Sequence, residues 1–125
     1  MSLVNRETEE EENDPGLILL REVKQKDLLA ALIRQLNKDF QLCGLESTIN
    51  EKASVSEVVR NLAHILSQLI RNDFQGFLNL LYRVDIPESK IHRSETRGMD
   101  ELIQDASYEL LKREWQKVWL RNKIQ

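Results

Sequence analysis

Apolar residues recur along the chain with the period of an α-helix in four separate segments. The first begins at Leu17, and from Leu28 onward its apolar positions fall at i, i+1, i+4, i+5, i+8 and i+12, on one helical face. The other three begin near Val55, Phe74 and Met99. No convincing period-two alternation, the pattern of a half-buried strand, interrupts them. The pattern predicts an all-α protein, a compact bundle of about four helices.

The ends of the first helix are marked by residues with special backbone roles. The Asp14 side chain can cap free N–H groups, and Pro15 at the first helical position has no N–H to leave unpaired. Gly44 is a natural stop at the other end. The first helix is therefore predicted to run from Pro15 to residue 43. The alternative is a break near Asp27, which would then cap a shorter second helix.

The next segment begins with a capping box. The Ser54 hydroxyl can accept the N–H of Glu57, and Glu57 can reach back to the N–H of Ser54. This predicts a second helix over 55–71. Asp73 with its neighbour Asn72 can cap a third helix. The alternative is one long helix over 55–84, kinked near residue 72.

A polar stretch over 85–98 separates these helices from the last one. Pro87 ends the preceding helix, because the residue before a proline avoids the α region. One helical turn is predicted at 87–92, and a loop this long is a candidate functional or mobile segment. The last helix is predicted over 99–122. Acidic residues fill its start and cations its end, as the helix dipole favours.

Charge is unevenly distributed along the chain. The sequence has 125 residues, of which 41% are hydrophobic and 31% charged, as expected for one globular domain. The first 16 residues hold one arginine against six acidic residues, so the remaining 109 carry +2. The run Glu9–Glu12 repels itself and cannot pack. We predict a disordered acidic arm over 1–13 and a single helical domain over 14–125.

The composition also bears on location. No apolar run approaches the length of a transmembrane helix, and the acidic N-terminus is unlike a signal peptide. Cys43 is the only cysteine, so no intramolecular disulfide can form, and a reducing compartment is favoured. We expect Cys43 to be a small buried hydrophobe. These features predict a soluble cytoplasmic protein without a membrane partner.

Catalytic and metal-binding signatures are missing from the sequence. His64 and His92 are the only histidines, and neither belongs to an HExxH or Glu-x-x-His pattern. There is no GxSxG motif and no glycine-rich phosphate loop. We therefore predict no catalytic residue, no cofactor and no metal. A small enzyme of unknown class is the third-ranked function.

The end of the last helix has the most unusual composition. Arg113, Lys117 and Arg121 are spaced four apart, and so are Trp115 and Trp119, which lie about 160–200° away around the helix. In one interpretation the tryptophans are core and the cations form a solvated face. In another, the three cations form a basic ridge for a phosphate-bearing or acidic partner. A third, an interfacial helix on anionic lipid, is disfavoured by the acidic first half.

We define the candidate interaction ridge as Arg113, Lys117 and Arg121. Apolar doublets such as Leu28–Leu29 and Val58–Val59 widen the helical stripes, which indicates either a central place in the bundle or contact with a second copy or another protein. The leading function is a protein-binding or scaffolding module that acts through helix faces on a protein partner or by self-association, with a homo-oligomer, such as a homodimer, slightly favoured over a monomer. The alternative is a nucleic-acid-associated protein that uses the basic end of the last helix.

Overall fold

The computed structural model describes residues 14–91 and 98–124. They form α1 (Pro15–Gln25), α2 (Leu29–Leu42), α3 (Val55–Asn72), α4 (Phe74–Val84), a 3-10 turn (Glu88–Lys90) and α5 (Met99–Ile124). These residues contain no strand, so the predicted all-α class is confirmed, with five helices in place of about four. The predicted arm, residues 1–13, and His92 lie outside the described residues.

The first predicted helix is two helices, and the break lies where the alternative placed it. Asp27 adopts a left-handed φ of 58°, a conformation that aspartate tolerates better than most residues. The residue at the N-cap of α2 is Leu28, without a side-chain cap, so Asp27 does not cap the helix as expected. The turn lets both helices face inward: Val23 of α1 and Leu32 of α2 are fully buried.

The junction between α3 and α4 is also a true break, so the single kinked helix is excluded. Asp73 has an extended φ of −152°, and its carboxylate accepts the N–H of Gly76 at 3.0 Å. A Cβ at position 76 would collide with that carboxylate. Glycine therefore disfavours the helix locally but makes room for the cap that begins it.

The other predicted caps are confirmed. The Ser54 hydroxyl accepts the N–H of Glu57 and the Glu57 carboxylate accepts the N–H of Ser54, each at 3.2 Å. The Asp14 carboxylate accepts the N–H of Gly16 at 2.7 Å at the start of α1. Gly44 follows α2 with a positive φ of 79°. Each cap satisfies backbone groups that have no partner within their own helix.

The last helix, α5, is the centre of the bundle, because it packs against all four of the others. Fully buried side chains come from every helix, among them Leu20, Phe40, Leu66, Phe77 and Leu110. In one of the two interpretations of the apolar doublets, the helices that carry them, α2 and α3, would hold this central place. Within the described residues, no helix combines the length and the apolar character that a bilayer crossing requires.

Candidate interaction surfaces

The C-terminal half of α5 buries a glutamate where an apolar residue is expected. Glu114 lies four residues after Leu110 and four before Val118, on the line that faces the core. All three side chains are buried, and Glu114 is 0% exposed. This half of α5 therefore contributes a carboxyl group to the interior.

A second buried carboxyl group, from α2, meets Glu114 in the interior. Asp39 is 3% exposed, and the Lys117 Nζ lies 3.2 Å from its Oδ2 and 3.0 Å from Glu114 Oε1. The Gln35 Nε2 donates to Asp39 Oδ2 at 3.1 Å. On the other side, the Arg83 Nε lies 3.5 Å from Asp39 Oδ1. We call Asp39, Glu114 and Lys117 the buried ionic cluster, which joins α2 to α5.

The two carboxyl groups of the cluster have opposite pKa shifts. Burial, together with the hydrogen bond to Asp39 and its negative charge, raises the pKa of Glu114 to about 8, and Lys117 offsets only part of this. Burial alone would raise the pKa of Asp39, but hydrogen bonds from Glu114, Gln35 and Lys117 outweigh it and lower that pKa. Near pH 7 the pair therefore holds one proton, on Glu114.

The proton on Glu114 has a structural reason. Neither of its carboxyl oxygens accepts a hydrogen bond from the described residues, although the Lys117 ammonium lies at ion-pair distance. An ionised Glu114 would thus be a buried charge beside the negative charge of Asp39, with Lys117 offsetting only part of the cost. As a neutral acid it can donate to Asp39.

The three residues of the candidate interaction ridge all have partners within the chain. Lys117 belongs to the buried ionic cluster. An Arg121 NH2 donates to Gln35 Oε1, and the Arg113 NH2 lies 3.5 Å from Asp85 Oδ2. In one interpretation of the sequence, the cations of the candidate interaction ridge form a solvated face. In the structure they instead tie α5 to α2 and to the residue after α4. Its use by a partner stays a prediction.

The reason for this difference is that α5 packs against α2 and α4, so Lys117 and Arg121 reach side chains of α2 and Arg113 reaches Asp85 after α4. Trp115 and Trp119 are partly buried, Trp115 against the hydrophobic core, with ring centroids 5.6 Å apart. The Nζ atoms of Lys26 and Lys123 lie 5.3 and 5.6 Å from the Trp119 ring centroid, within cation–π range. We call Lys26, Trp119 and Lys123 the Trp119 patch.

Helix α4 carries an unusual exposed face. Only one of its 11 residues, Arg83, is charged. Tyr82 is 89% exposed, and Leu42 at the end of the neighbouring α2 is 53% exposed. On the same helix, Gln75 Nε2 donates to Asn79 Oδ1 at 3.0 Å, so these two amides partly satisfy each other. We define the α4 surface by five residues, Leu42, Gln75, Leu78, Asn79 and Tyr82.

Tyr82 stands between two grooves. One, of about 540 Å³, is lined by Leu42, Cys43 and Arg83. The other, of about 670 Å³, is lined by residues that include Leu78 and Pro87. Asn79 and Tyr82 belong to both grooves. A helix pattern shows which positions face inward, but it does not show a projecting side chain with recesses on either side, so this surface was missed.

Other candidate groups offer no comparable arrangement. Burial and the charge of Asp39 raise the pKa of the partly buried Cys43 thiol, with Arg83 opposing, so the thiol stays protonated and weakly reactive. His64 is exposed and lines a groove of about 430 Å³ with Arg71 and Tyr108. Among the described residues, no three His, Cys, Asp or Glu side chains are grouped to hold a metal ion.

Similarity to characterised proteins would be a separate indication of what these surfaces do. No protein-family profile matches the chain, and neither a curated protein nor a solved structure is significantly similar to it. The geometry of the buried ionic cluster, the α4 surface and the Trp119 patch is therefore the basis on which a function can be argued.

Proposed function

We propose that this chain is a protein-binding module that acts through a helix face, and that the α4 surface is this face. The observation that carries the proposal is the exposure of Tyr82, 89% of its surface, between two grooves. A single exposed aromatic residue is common on protein surfaces. Here it has Arg83 beside it and Leu42 across the groove, and tyrosine and arginine are the residue types most often found at interface hot spots.

The low charge of α4 supports the same proposal. Charged residues make up 31% of the chain, but α4 has one, and that one lies 3.5 Å from Asp39. Depletion of charge is typical of the centre of protein interfaces, since charged side chains are costly to desolvate. The α4 surface thus resembles an interface centre more closely than an ordinary solvated helix face does.

A helix cap and two ion pairs support the frame behind the α4 surface. Asp73 caps the start of α4, and Arg83 near its end is held by Asp39 of the buried ionic cluster. Lys117 fixes Asp39 in turn. A surface that is ordered before binding loses less conformational entropy when a partner docks. In this arrangement Lys117, one member of the candidate interaction ridge, acts indirectly by positioning α2 and α4.

The proposal is tested by removing the projecting side chain. Tyr82→Ala takes away the aromatic ring without disturbing the core, and Ile18→Ala, at an exposed apolar position on α1, is the matched control. Partners are captured from the native host's lysate with each variant, and circular dichroism checks the fold. We expect Tyr82→Ala to lose partners that the wild type and the control both retain. Identical partner sets from all three folded proteins would reject the α4 surface.

A second candidate function, nucleic-acid association, is supported by the Trp119 patch. The two lysines near the Trp119 ring can contact phosphates, and the partly exposed ring can stack with a base. The test is fluorescence anisotropy with a labelled single-stranded oligonucleotide at increasing salt, because phosphate contacts weaken steeply with ionic strength. We expect Lys26→Gln with Lys123→Gln to reduce both the affinity and its salt dependence. No binding by the wild type at low salt would eliminate this candidate.

A further inference from the structure

The second half of α5, residues 112–124, has little apolar contact with the rest of the bundle. Among its described side chains, Val118 is the only apolar one that is buried. Trp115 packs partly against the core, and Leu120 is exposed. The first half, residues 99–111, buries four apolar side chains: Ile103, Ala106, Leu110 and Leu111. Because the free energy of apolar burial grows with the area removed from water, the second half is held less strongly by apolar packing than the first.

Polar contacts with α2 hold the second half of α5 in place instead. Glu114 makes a hydrogen bond with Asp39, and the Lys117 Nζ lies 3.2 Å from Asp39 Oδ2. One turn further along α5, Arg121 donates to Gln35. The net contribution of such contacts to stability is modest, because water offers replacement partners to groups that become exposed. The attachment of residues 112–124 therefore depends on the state of the buried ionic cluster.

The charges around the two buried carboxyl groups favour a single proton between them. On α5, the Lys117 ammonium lies within 3.2 Å of both Glu114 and Asp39, so the two groups share one cation. On α4, Arg83 lies 3.5 Å from Asp39. On α2, the Cys43 thiol adds no positive charge, since burial and Asp39 raise its pKa. The charged residues of α1 and α3 are exposed. With both carboxyl groups ionised, Glu114 would have only the shared ammonium against the repulsion from Asp39.

We propose that the second half of α5 is a pH-sensitive switch: loss of the proton held by Glu114 releases residues 112–124 from α2 while the first half stays packed. Release lets water reach both carboxylates, and it frees Lys117 and Arg121, two members of the candidate interaction ridge, from their contacts with α2. The pKa of Glu114, about 8, places this release just above neutral pH. The switch does not depend on whether the α4 surface binds a partner.

Hydrogen exchange of single backbone amides shows how often each part of α5 opens. It is measured by NMR on the full chain at about pH 5.5 and about pH 8.5, with the intrinsic pH dependence of exchange removed. We expect the amides of Trp115 and Val118 to open at least about tenfold more often than those of the first half. Their opening should increase on the order of a hundredfold between the two pH values, because release returns Glu114 from a pKa of about 8 toward 4.5.

Two variants assign the increase to Glu114. Glu114→Gln removes the titrating carboxyl group, and Glu109→Gln, at a partly buried position in the first half of the same helix, is the matched control. We expect Glu114→Gln to lose most of the increase in opening with pH and Glu109→Gln to keep it. Circular dichroism at both pH values checks that each variant is folded.

Two results would overturn the switch. Equal opening of both halves of α5 in the wild type, at both pH values, would mean that this helix opens only when the whole chain unfolds. That comparison needs no variant, so it holds even if Glu114→Gln fails to fold. An increase with pH that Glu114→Gln leaves unchanged would assign the release to another titrating group.

Discussion

The two halves of α5 occupy the same bundle but are held in it by different interactions. The first half buries Ile103, Ala106, Leu110 and Leu111, and the second buries Glu114 and Val118. Apolar burial stabilises by removing surface from water and does not depend on protonation. Burial of Glu114 favours its protonated form, so its contribution to stability depends on pH. Within one helix, the packing at one end is therefore independent of pH, and the packing at the other end depends on the protonation of Glu114.

The largest expected effect on stability is at Lys117, in the second half of α5. Replacing it with methionine keeps most of the side-chain length but removes the ammonium that lies near both buried carboxyl groups. Breaking a buried ion pair from one side leaves a charge without its partner, and we expect a loss of about 3–5 kcal/mol in the free energy of unfolding. Urea denaturation at neutral pH measures it. Lys112→Met, an exposed lysine on the same helix, should cost less than about 1 kcal/mol. Equal losses would place Lys117 among ordinary surface charges.

A substitution in the first, apolar half of α5 should cost stability by an amount that does not depend on pH. Leu110 is almost fully buried, so Leu110→Ala removes packed atoms and leaves a cavity, at a cost of about 3 kcal/mol. Because no proton is involved, we expect the same loss at about pH 5.5 and about pH 8.5. The measurement is urea denaturation at both values, with the exposed Leu120→Ala as the control. A cost that changes strongly with pH would couple this half to the ionic cluster and erase the distinction.

The second half of α5, which buries Glu114, should make the free energy of unfolding depend on pH. The pKa of Glu114, about 8, lies above its ordinary value of 4.5. Between these pH values the folded chain binds more protons than the unfolded chain, so the contribution of Glu114 to stability falls as pH rises. The slope is at most about 1.4 kcal/mol per pH unit. Asp39, with its lowered pKa, acts in the opposite direction and loses its contribution only in acid, below the ordinary 3.8.

Glu114→Gln removes this titration while keeping a neutral group that can donate to Asp39. We expect the stability of the variant relative to the wild type to rise by about 3 kcal/mol between pH 5.5 and pH 8.5. Unfolding curves at several pH values give the difference directly, and they cancel the titration of other groups. Glu22→Gln, an exposed position on α1, should keep the wild-type pH dependence. A pH-independent difference for Glu114→Gln would mean that Glu114 is already ionised at neutral pH.

The helix ends could be predicted from the sequence because each depends on neighbours within a few residues. Ser54 with Glu57, and Asp14 before Pro15, satisfy their helix termini locally. The break near Asp27 could be anticipated in position but not in form. Its left-handed backbone serves the packing of α1 against α2, and no short-range pattern specifies that contact.

The candidate sites could not be predicted in the same way. Lys117 meets a residue 78 positions earlier in the chain, so its partner is set by the fold and not by local sequence. A partial signal was present: Glu114 falls on the apolar line between Leu110 and Val118, and Asp39 precedes the buried Phe40 on the inner face of α2. Two polar residues on the inner stripes of two helices could have suggested a buried pair. Nothing in the pattern indicated that Tyr82 projects.

The smallest expected effect separates the members of the candidate interaction ridge from each other. Arg113 lies 3.5 Å from Asp85, whose side chain is largely exposed, so solvent screens the pair. We expect Arg113→Gln to change the free energy of unfolding by less than about 1 kcal/mol. Urea denaturation beside Lys117→Met provides the contrast within one row of cations.

Because Lys117 is part of the buried ionic cluster and Arg113 is not, the two residues cannot be used in the same way to test the candidate interaction ridge as a binding surface. Reversal of all three charges disrupts the buried ionic cluster through Lys117, so loss of a partner by the triple variant would not distinguish binding from folding. Arg113→Glu alone leaves the buried ionic cluster in place, because the ion-pair partner of Arg113, Asp85, is exposed to solvent. If the ridge binds an acidic partner, Arg113→Glu should weaken that binding in a protein with wild-type stability. A large loss of stability from Arg113→Gln would instead make the whole row structural.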